Sequence, residues 1–342
     1  MPNSYDAVVV VSFGGPESRE EVIPFLENVL RGRNVPRERM LEVAEHYYHF
    51  GGRSPINDQN RALIAALREE LRARGGTLPV YWGNRNWRPF LSDTIREMEA
   101  DGVRRALAFC TSAYSSYSGC RQYLDDIDRA CAAAGPSAPQ VDKLRAFYNH
   151  PGFVAAMADR VRAAFDRVSA ERRGQAAFLY TAHSVPLSMA EGCPYVSQLH
   201  EACRLISAAV GIQEWQLVFQ SRSGPPGQSW LGPDIMETLE DVAGKTKDVV
   251  VVPVGFISDH MEVVYDLDTE AAQLATELGL NMVRAGTVGT HPAFISMISE
   301  LIAERTGDAV ERRSLGDLGA AADLCPPGCC PYRAASIVSP SA

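Results

Sequence analysis

Eight short apolar runs, separated by helix-length stretches with a three-to-four-residue apolar period, constrain this chain more than any other feature. The runs are Ala7–Phe13, Pro79–Gly83, Arg105–Cys110, Gln140–Leu144, Ala176–Thr181, Gln216–Phe219, Val249–Val254 and Asn281–Arg284. Several are nearly continuous Val, Leu and Ile without polar alternation, the pattern of a strand buried on both faces. Helical patterns cover Glu17–Arg31, Pro36–Phe50, Asn57–Arg74, Phe90–Asp101, Gly119–Ala134, Phe153–Ser169, Tyr195–Val210, Pro233–Ala243, His260–Leu278 and Pro292–Arg305. Strands alternating with helices pair in parallel through right-handed crossovers. Four runs precede His150–Pro151–Gly152 and four follow it. The order predicts an α/β fold of two Rossmann-like lobes, 1–150 and 151–306. Each is a four-stranded parallel sheet flanked by helices, with a cleft between them.

After Gly307 the periodicity stops, and residues 307–342 read as a Pro- and Cys-rich tail rather than a domain. It is expected to be flexible or tied down by something other than a core. Three of the chain's eight cysteines lie in its last eighteen residues, at Cys325, Cys329 and Cys330. The net charge of −9 lacks the basic footprint that nucleic-acid binding requires. Met1–Asp6 lacks the cationic start and apolar core of a signal peptide, and no apolar run approaches the ~20 residues needed to span a bilayer. A cytoplasmic protein is expected, in which clustered thiols bind metal or do chemistry.

Ser12–Phe13–Gly14–Gly15–Pro16 follows the first run but lacks the G-x-G-x-x-G spacing of a dinucleotide loop. Its glycines are expected to let a flat ligand or the facing lobe approach the backbone. Two other segments lie where doubly wound sheets carry function, at the C-terminal ends of strands. One is Thr181–Ala182–His183–Ser184, and the other runs from Val254 to Glu270. In the second, Glu262, Asp266 and Glu270 recur every four residues, drifting about 40° per step around an α-helix; a wider π-turn would align them. With no Lys or Arg interleaved, such a stripe is either a solvated face or a row of hard oxygen ligands for a divalent cation. A histidine beside it can accept displaced protons. Zincin, zinc-ribbon and G-x-S-x-G patterns are missing.

Five motifs in order resemble those of the ferrochelatase family. They are Ser-Phe-Gly-Gly-Pro (12–16), Gly-Gly-x-Ser-Pro-Ile (51–56), Thr-Ala-His-Ser-Val-Pro (181–186), Trp-Leu-Gly-Pro-Asp (230–234) and Val-Gly-Phe-Ile-Ser-Asp-His-Met-Glu-Val-Val-Tyr-Asp-Leu-Asp (254–268). The resemblance covers residues 5 to 305 and implies insertion of Fe2+ into a porphyrin held between the lobes. His183 and Glu262 match the family's active-site pair, which shares proton abstraction and metal delivery. Asp266 and Glu270 match the acidic row that continues from it, and Asp268 adds charge there. Releasing two pyrrole protons suits a base near pKa 6.5 beside an anionic metal path.

Phe13 stands where family members often carry a metal-facing tyrosine or methionine, and it cannot ligate iron. Tyr117 is either a substitute ligand or an aromatic packing on the macrocycle. Arg31, Arg33, Arg53 and Ser54 match the propionate-contacting region, and Trp230 joins the porphyrin wall. The polar stretch Arg33–Arg39 replaces the apolar lip of animal enzymes and fits coproporphyrin III, the tetra-acid, with protoporphyrin IX as the alternative. The tail resembles the actinobacterial branch that makes coproheme. Some family members hold a 2Fe–2S cluster on one internal and three C-terminal cysteines. That implies Cys120, Cys325, Cys329 and Cys330 here, with zinc as the alternative, and the cluster stapling the tail to the first lobe. Cys110, Cys131, Cys193 and Cys203 read as structural. A cobalt or nickel chelatase, a porphyrin or haem carrier and a periplasmic-type binding protein are the competing readings. The resemblance also implies transient contact with neighbouring haem-pathway enzymes.

Overall fold

The structure, a computed structural model, describes residues 4–32, 35–224, 227–307, 311–326 and 328–331. Two four-stranded parallel sheets form its frame. The first contains β1 (Ala7–Ser12), β2 (Val80–Asn84), β3 (Arg105–Cys110) and β4 (Gln140–Lys143), in the order β2-β1-β3-β4. The second contains β5 (Ala177–His183), β6 (Gln216–Gln220), β7 (Asp248–Val252) and β8 (Asn281–Arg284), in the order β6-β5-β7-β8. The two orders are the same. Central strands β1 and β7, Ala-Val-Val-Val-Val-Ser and Asp-Val-Val-Val-Val, are buried at every residue, as continuous β-branched runs require.

Helices α1 (Val22–Val29), α2 (Arg37–His49), α3 (Ile56–Ala73), α4 (Leu91–Ala100) and α5 (Gln122–Ala134) belong to the first half. Helices α6 (Pro151–Phe165), α7 (Leu187–Ala190), α8 (Tyr195–Val210), α9 (Ile235–Ala243), α10 (Met261–Tyr265), α11 (Ala272–Glu277) and α12 (Pro292–Thr306) follow. Both α6 and α12 begin with proline, and in each the preceding histidine, His150 or His291, accepts a backbone N–H from the first turn. The sheets lie on opposite sides of residue 150, but their apolar core is continuous. Phe109, Phe147, Phe153 and Phe294 pack with ring centroids 5.4–6.4 Å apart across that point.

Three expectations need correction. The stretch 260–278 is not one α-helix: a π-helical segment, Asp266–Ala271, sits between α10 and α11. A second π-helical turn, Tyr117–Arg121, opens α5. The glycines after β1 face their own lobe: a Cβ on Gly14 would meet Asn84 at 2.8 Å, and one on Gly15 would meet Ser54 at 2.7 Å. The tail, finally, is tied to both halves. Asn149 donates to the Leu315 and Gly319 carbonyls, and Asp317 N–H donates to Glu201 on α8. Among the described residues, no helix is long and apolar enough to cross a membrane.

Candidate active site

His183 is the last residue of β5, and Glu262 lies in the first turn of α10. Strand β5 is central, so its end opens onto the loops after β6 and β7. His183 Nε2 stands 3.6 Å from Glu262 Oε1. The imidazole Nδ1 contacts the Ser184 carbonyl, leaving Nε2 for Glu262. Burial disfavours the imidazolium, but Glu262, the Ser184 carbonyl and Asp266 outweigh it and raise the His183 pKa to about 9. For Glu262, burial works upward, and the His183 cation overrides it to hold the carboxyl at about 2. At neutral pH the pair is an imidazolium–carboxylate that already holds one proton.

The π-helical segment explains the acidic row. It widens the turn as the four-residue spacing requires, so that Glu262 and Glu270 both bear electrostatically on Asp266. Asp266 accepts from Ser221 Oγ and, at 3.3 Å, from Gln220 Nε2. Burial and its two acidic neighbours lift it to about 7. Glu270 is raised as well, by burial and by Asp234, which extends the row. Asp268 does not join it: Arg284 donates to its carboxylate at 2.8 Å on another side of the segment. Among the described residues, no three His, Cys, Asp or Glu side chains converge on one point as a metal cage.

First-half residues close one side of the site. His46 on α2 stacks on Tyr265 of α10, with centroids 3.6 Å apart and planes 7° from parallel. Gln59 on α3 exchanges two hydrogen bonds with the Asp259 backbone, at 2.9 and 3.1 Å. Phe13, exposed after β1, packs edge-on to Phe25, which packs on Tyr47. The Tyr47 hydroxyl lies in the field of Glu262, so these rings connect Phe13 to the ionised pair.

The other expected contacts scatter in role. Trp230 pairs with Pro186, and Leu231 N–H donates to the Val185 carbonyl, which sets its strand against the His183 loop. Tyr117 begins the π-turn that also carries Cys120. Arg31 lines a cavity beside Phe13. Arg53 pairs with Asp58 through Nε and Nη2, at 2.5 Å for the latter, while its side chain stays half-exposed, and Ser54 is buried beneath Gly15. Arg33 lies outside the described residues.

Five thiols gather at one edge. Cys120 and Cys325 Sγ are 4.0 Å apart, and Cys329 and Cys330 are 3.5 Å apart. Cys193 joins them from the second half: its thiol donates to the Met189 carbonyl at 3.2 Å and interacts electrostatically with Cys330. Because Cys120 belongs to the first half and Cys193 to the second, the tail bridges both. Tetrahedral metal–thiolate centres with bonds of ~2.3 Å separate their sulfurs by about 3.8 Å. Both measured pairs are near that spacing. Sequence reasoning missed His46, Tyr47, Gln220 and Tyr195, whose hydroxyl donates to the His183 carbonyl at 3.1 Å. None sits in a distinctive local motif.

Comparison with known proteins gives one family. The ferrochelatase family model matches residues 5–306. A ferrochelatase of Rhodopirellula baltica is 56% identical, the match covering 96% of this chain and 94% of that one. A coproporphyrin III ferrochelatase of Streptomyces coelicolor is 51% identical over the same shares. Among solved structures, the sirohydrochlorin chelatase SirB of Bacillus subtilis subspecies spizizenii superposes with a TM-score of 0.52 at 11% identity. That match covers 89% of this chain and 97% of that one, a likeness of fold.

Proposed function

The chain belongs to the ferrochelatase family, and on that premise we propose that it inserts Fe2+ into coproporphyrin III to give coproheme, in the cytoplasm. The observation that carries the site assignment is the His183–Glu262 ion pair at the head of a π-widened acidic row. The relatives named as coproporphyrin III ferrochelatases support the choice of porphyrin.

The chemistry follows from the charges. Fe2+, a hard to borderline cation, is drawn along Glu270 and Asp266 towards Glu262. Asp266, at about 7, is partly ionised at neutral pH and binds and releases the metal without trapping it. Arrival of the cation beside Glu262 weakens that carboxylate's hold on the His183 proton. His183 then loses its proton to solvent and becomes free to take one from a pyrrole nitrogen. Phe13, Arg31, Tyr117 and Trp230 form the porphyrin wall; Arg53 offers its unpaired Nη1 to a carboxylate while Asp58 holds the rest of its guanidinium, and Ser54 supports the loop that carries Phe13.

In this reading Cys120, Cys325, Cys329 and Cys330 hold a 2Fe–2S cluster. The pairs Cys120–Cys325 and Cys329–Cys330 supply four thiolates for it. When bound, the cluster supplies metal–thiolate cross-links between the tail and the body of the protein. The test of function is anaerobic incubation with Fe2+ and either porphyrin, followed by absorbance. Coproporphyrin is expected to be metallated faster. Turnover of neither, or turnover unaffected by His183→Ala, would refute the reading. A colourless, sulfide-free protein would refute the cluster.

A further inference from the structure

Two peptide groups set where His183 and Glu262 stand, and both are held in the same way. In the His183–Ser184 peptide, the Ser184 N–H donates to the Gln220 carbonyl of β6 at 2.8 Å, and the His183 carbonyl accepts from the Tyr195 hydroxyl at 3.1 Å. In the Val254–Gly255 peptide, which leads from β7 to Glu262, the Gly255 N–H donates to the Thr181 carbonyl of β5 at 3.0 Å. The Val254 carbonyl accepts from the Tyr114 hydroxyl at 2.9 Å. Each peptide is thus fixed to a neighbouring strand on one side and to a buried tyrosine on the other. Gly255 is required there: a Cβ on it would meet the Ala182 Cα at 2.7 Å, one residue before His183. The second peptide therefore lies against the strand end that carries the first.

The two tyrosines come from different halves. Tyr195 opens α8, whereas Tyr114 lies in the loop between β3 and the π-turn at Tyr117–Arg121. Their rings meet edge-on, with centroids 6.1 Å apart and planes at 90°. Both side chains are buried, and burial pushes both phenols above their ordinary pKa, so each hydroxyl stays a donor at any working pH. The next two residues of the Tyr114 loop hold it in place. Ser115 N–H donates to Gln198 Oε1 at 2.7 Å, and Gln198 Nε2 donates to Ser115 Oγ at 3.1 Å, one turn along α8 from Tyr195. Buried Ser116 caps the π-turn by accepting the Gly119 N–H at 2.9 Å. Three consecutive first-half residues thus attach to the Glu262 loop, to the helix that holds His183, and to their own lobe. Each bond adds little to stability, but a buried carbonyl left unmet costs more, so the peptides stay where the hydroxyls are.

We propose that Tyr114, Ser115 and Gln198 are positioning residues of the reaction, a bracket by which the first half fixes the spacing of His183 and Glu262 in the second. The inference rests on that pair being the reacting one, and the bracket acts through the pair's backbone.

The test is Tyr114→Phe, which keeps the ring and removes the donor, read in two ways on the full chain. Amide hydrogen exchange of the ligand-free protein reads the bracket itself: exchange at Gly255 and through residues 256–262 is expected to quicken about fivefold. Steady-state metallation of coproporphyrin reads its use: kcat is expected to fall about threefold with both KM values level, because reacting groups shift and no ligand contact is lost. Tyr148→Phe, whose ring also packs on Tyr114, is the control and should leave kcat unchanged. Unchanged exchange over 255–262 would overturn the bracket. So would quicker exchange with an unchanged kcat, or an equal fall in kcat in the control. A parent that metallates neither porphyrin refutes the chelatase reading and the catalytic use of the bracket, while exchange still decides whether Tyr114 holds the Glu262 loop.

Discussion

The two sheets share one strand order and carry opposite charge at equivalent ends. β1 and β5 are each second in their sheets, and each ends in the residue that opens the site: Phe13 just after β1, His183 at the end of β5. Around Phe13 stand Arg31, Arg85 and Arg129; around His183 stand Glu262, Asp266 and Glu270. One backbone plan thus serves a cationic, aromatic wall and an anionic, proton-holding one. The contrast teaches that the strand order positions the loops while their side chains set the charge; under the proposed function they divide the work, an anionic macrocycle on one side and a cation on the other. It also explains why a net charge of −9 is compatible with an acidic substrate: the first-lobe guanidiniums form a local field of opposite sign.

The sharpest way to break this division is on the anionic side. His183→Ala should lower kcat by about 10³-fold with porphyrin affinity nearly unchanged, since it removes the proton acceptor and no wall contact. A parallel loss of porphyrin affinity, measured by fluorescence titration, would place His183 in binding instead. Glu262→Gln removes the charge that outweighs burial, so the His183 pKa should fall from about 9 to below its ordinary 6.5. Imidazole NMR titration reads this directly, and a pKa that stays near 9 would mean another group holds the proton. The linked stability has a definite sign. Because the folded His183 pKa is raised, its contribution is full below about 6.5 and is lost as pH rises through about 9. The variant should therefore lose stability relative to the parent at pH 6 and much less at pH 10.

A smaller effect separates metal supply from chemistry. Asp266→Asn keeps the Ser221 and Gln220 contacts but removes a charge, and should raise the KM for Fe2+ about tenfold while leaving the porphyrin KM in place. Its folded pKa, near 7, lies above the unfolded value, so ionised Asp266 costs stability as pH rises from about 4 through 7. The variant should melt higher than the parent at pH 8. A lower melting temperature, or an unchanged KM for Fe2+, would remove Asp266 from the cation route.

How much of this was legible in the sequence depended on the range of the forces involved. All eight strands were readable to within about two residues at either end, because runs such as Val8–Val11 and Val249–Val252 are buried on both faces and leave an unmistakable local pattern. The strand end at His183 and the four-residue recurrence of Glu262, Asp266 and Glu270 left a local pattern too, but the stretch reads as one helix, and the π-helical segment within it came only with the structure. The remainder depended on contacts distant in sequence. Nothing near Asp268 shows that Arg284 neutralises it, nothing near Ser54 shows that Gly15 covers it, and Cys193 meets Cys330 across 137 positions. Such pairings are made by folding.

The smallest expected effect probes how the anionic wall is held. Tyr195 opens α8, is buried, and donates its hydroxyl to the His183 carbonyl at 3.1 Å, while its ring packs at 90° on Tyr114 from the other lobe. Tyr195→Phe keeps the ring and removes only that donor, a change worth about 1 kcal/mol and about 2 °C in Tm. Because the hydroxyl fixes the peptide that carries His183, a positioning role also predicts a roughly threefold fall in kcat. Porphyrin and Fe2+ KM should stay level. A lowered Tm with unchanged kcat would make Tyr195 a packing residue alone. A change in porphyrin KM would instead mean that its contact with Tyr114, and not its hydroxyl, transmits across the lobes.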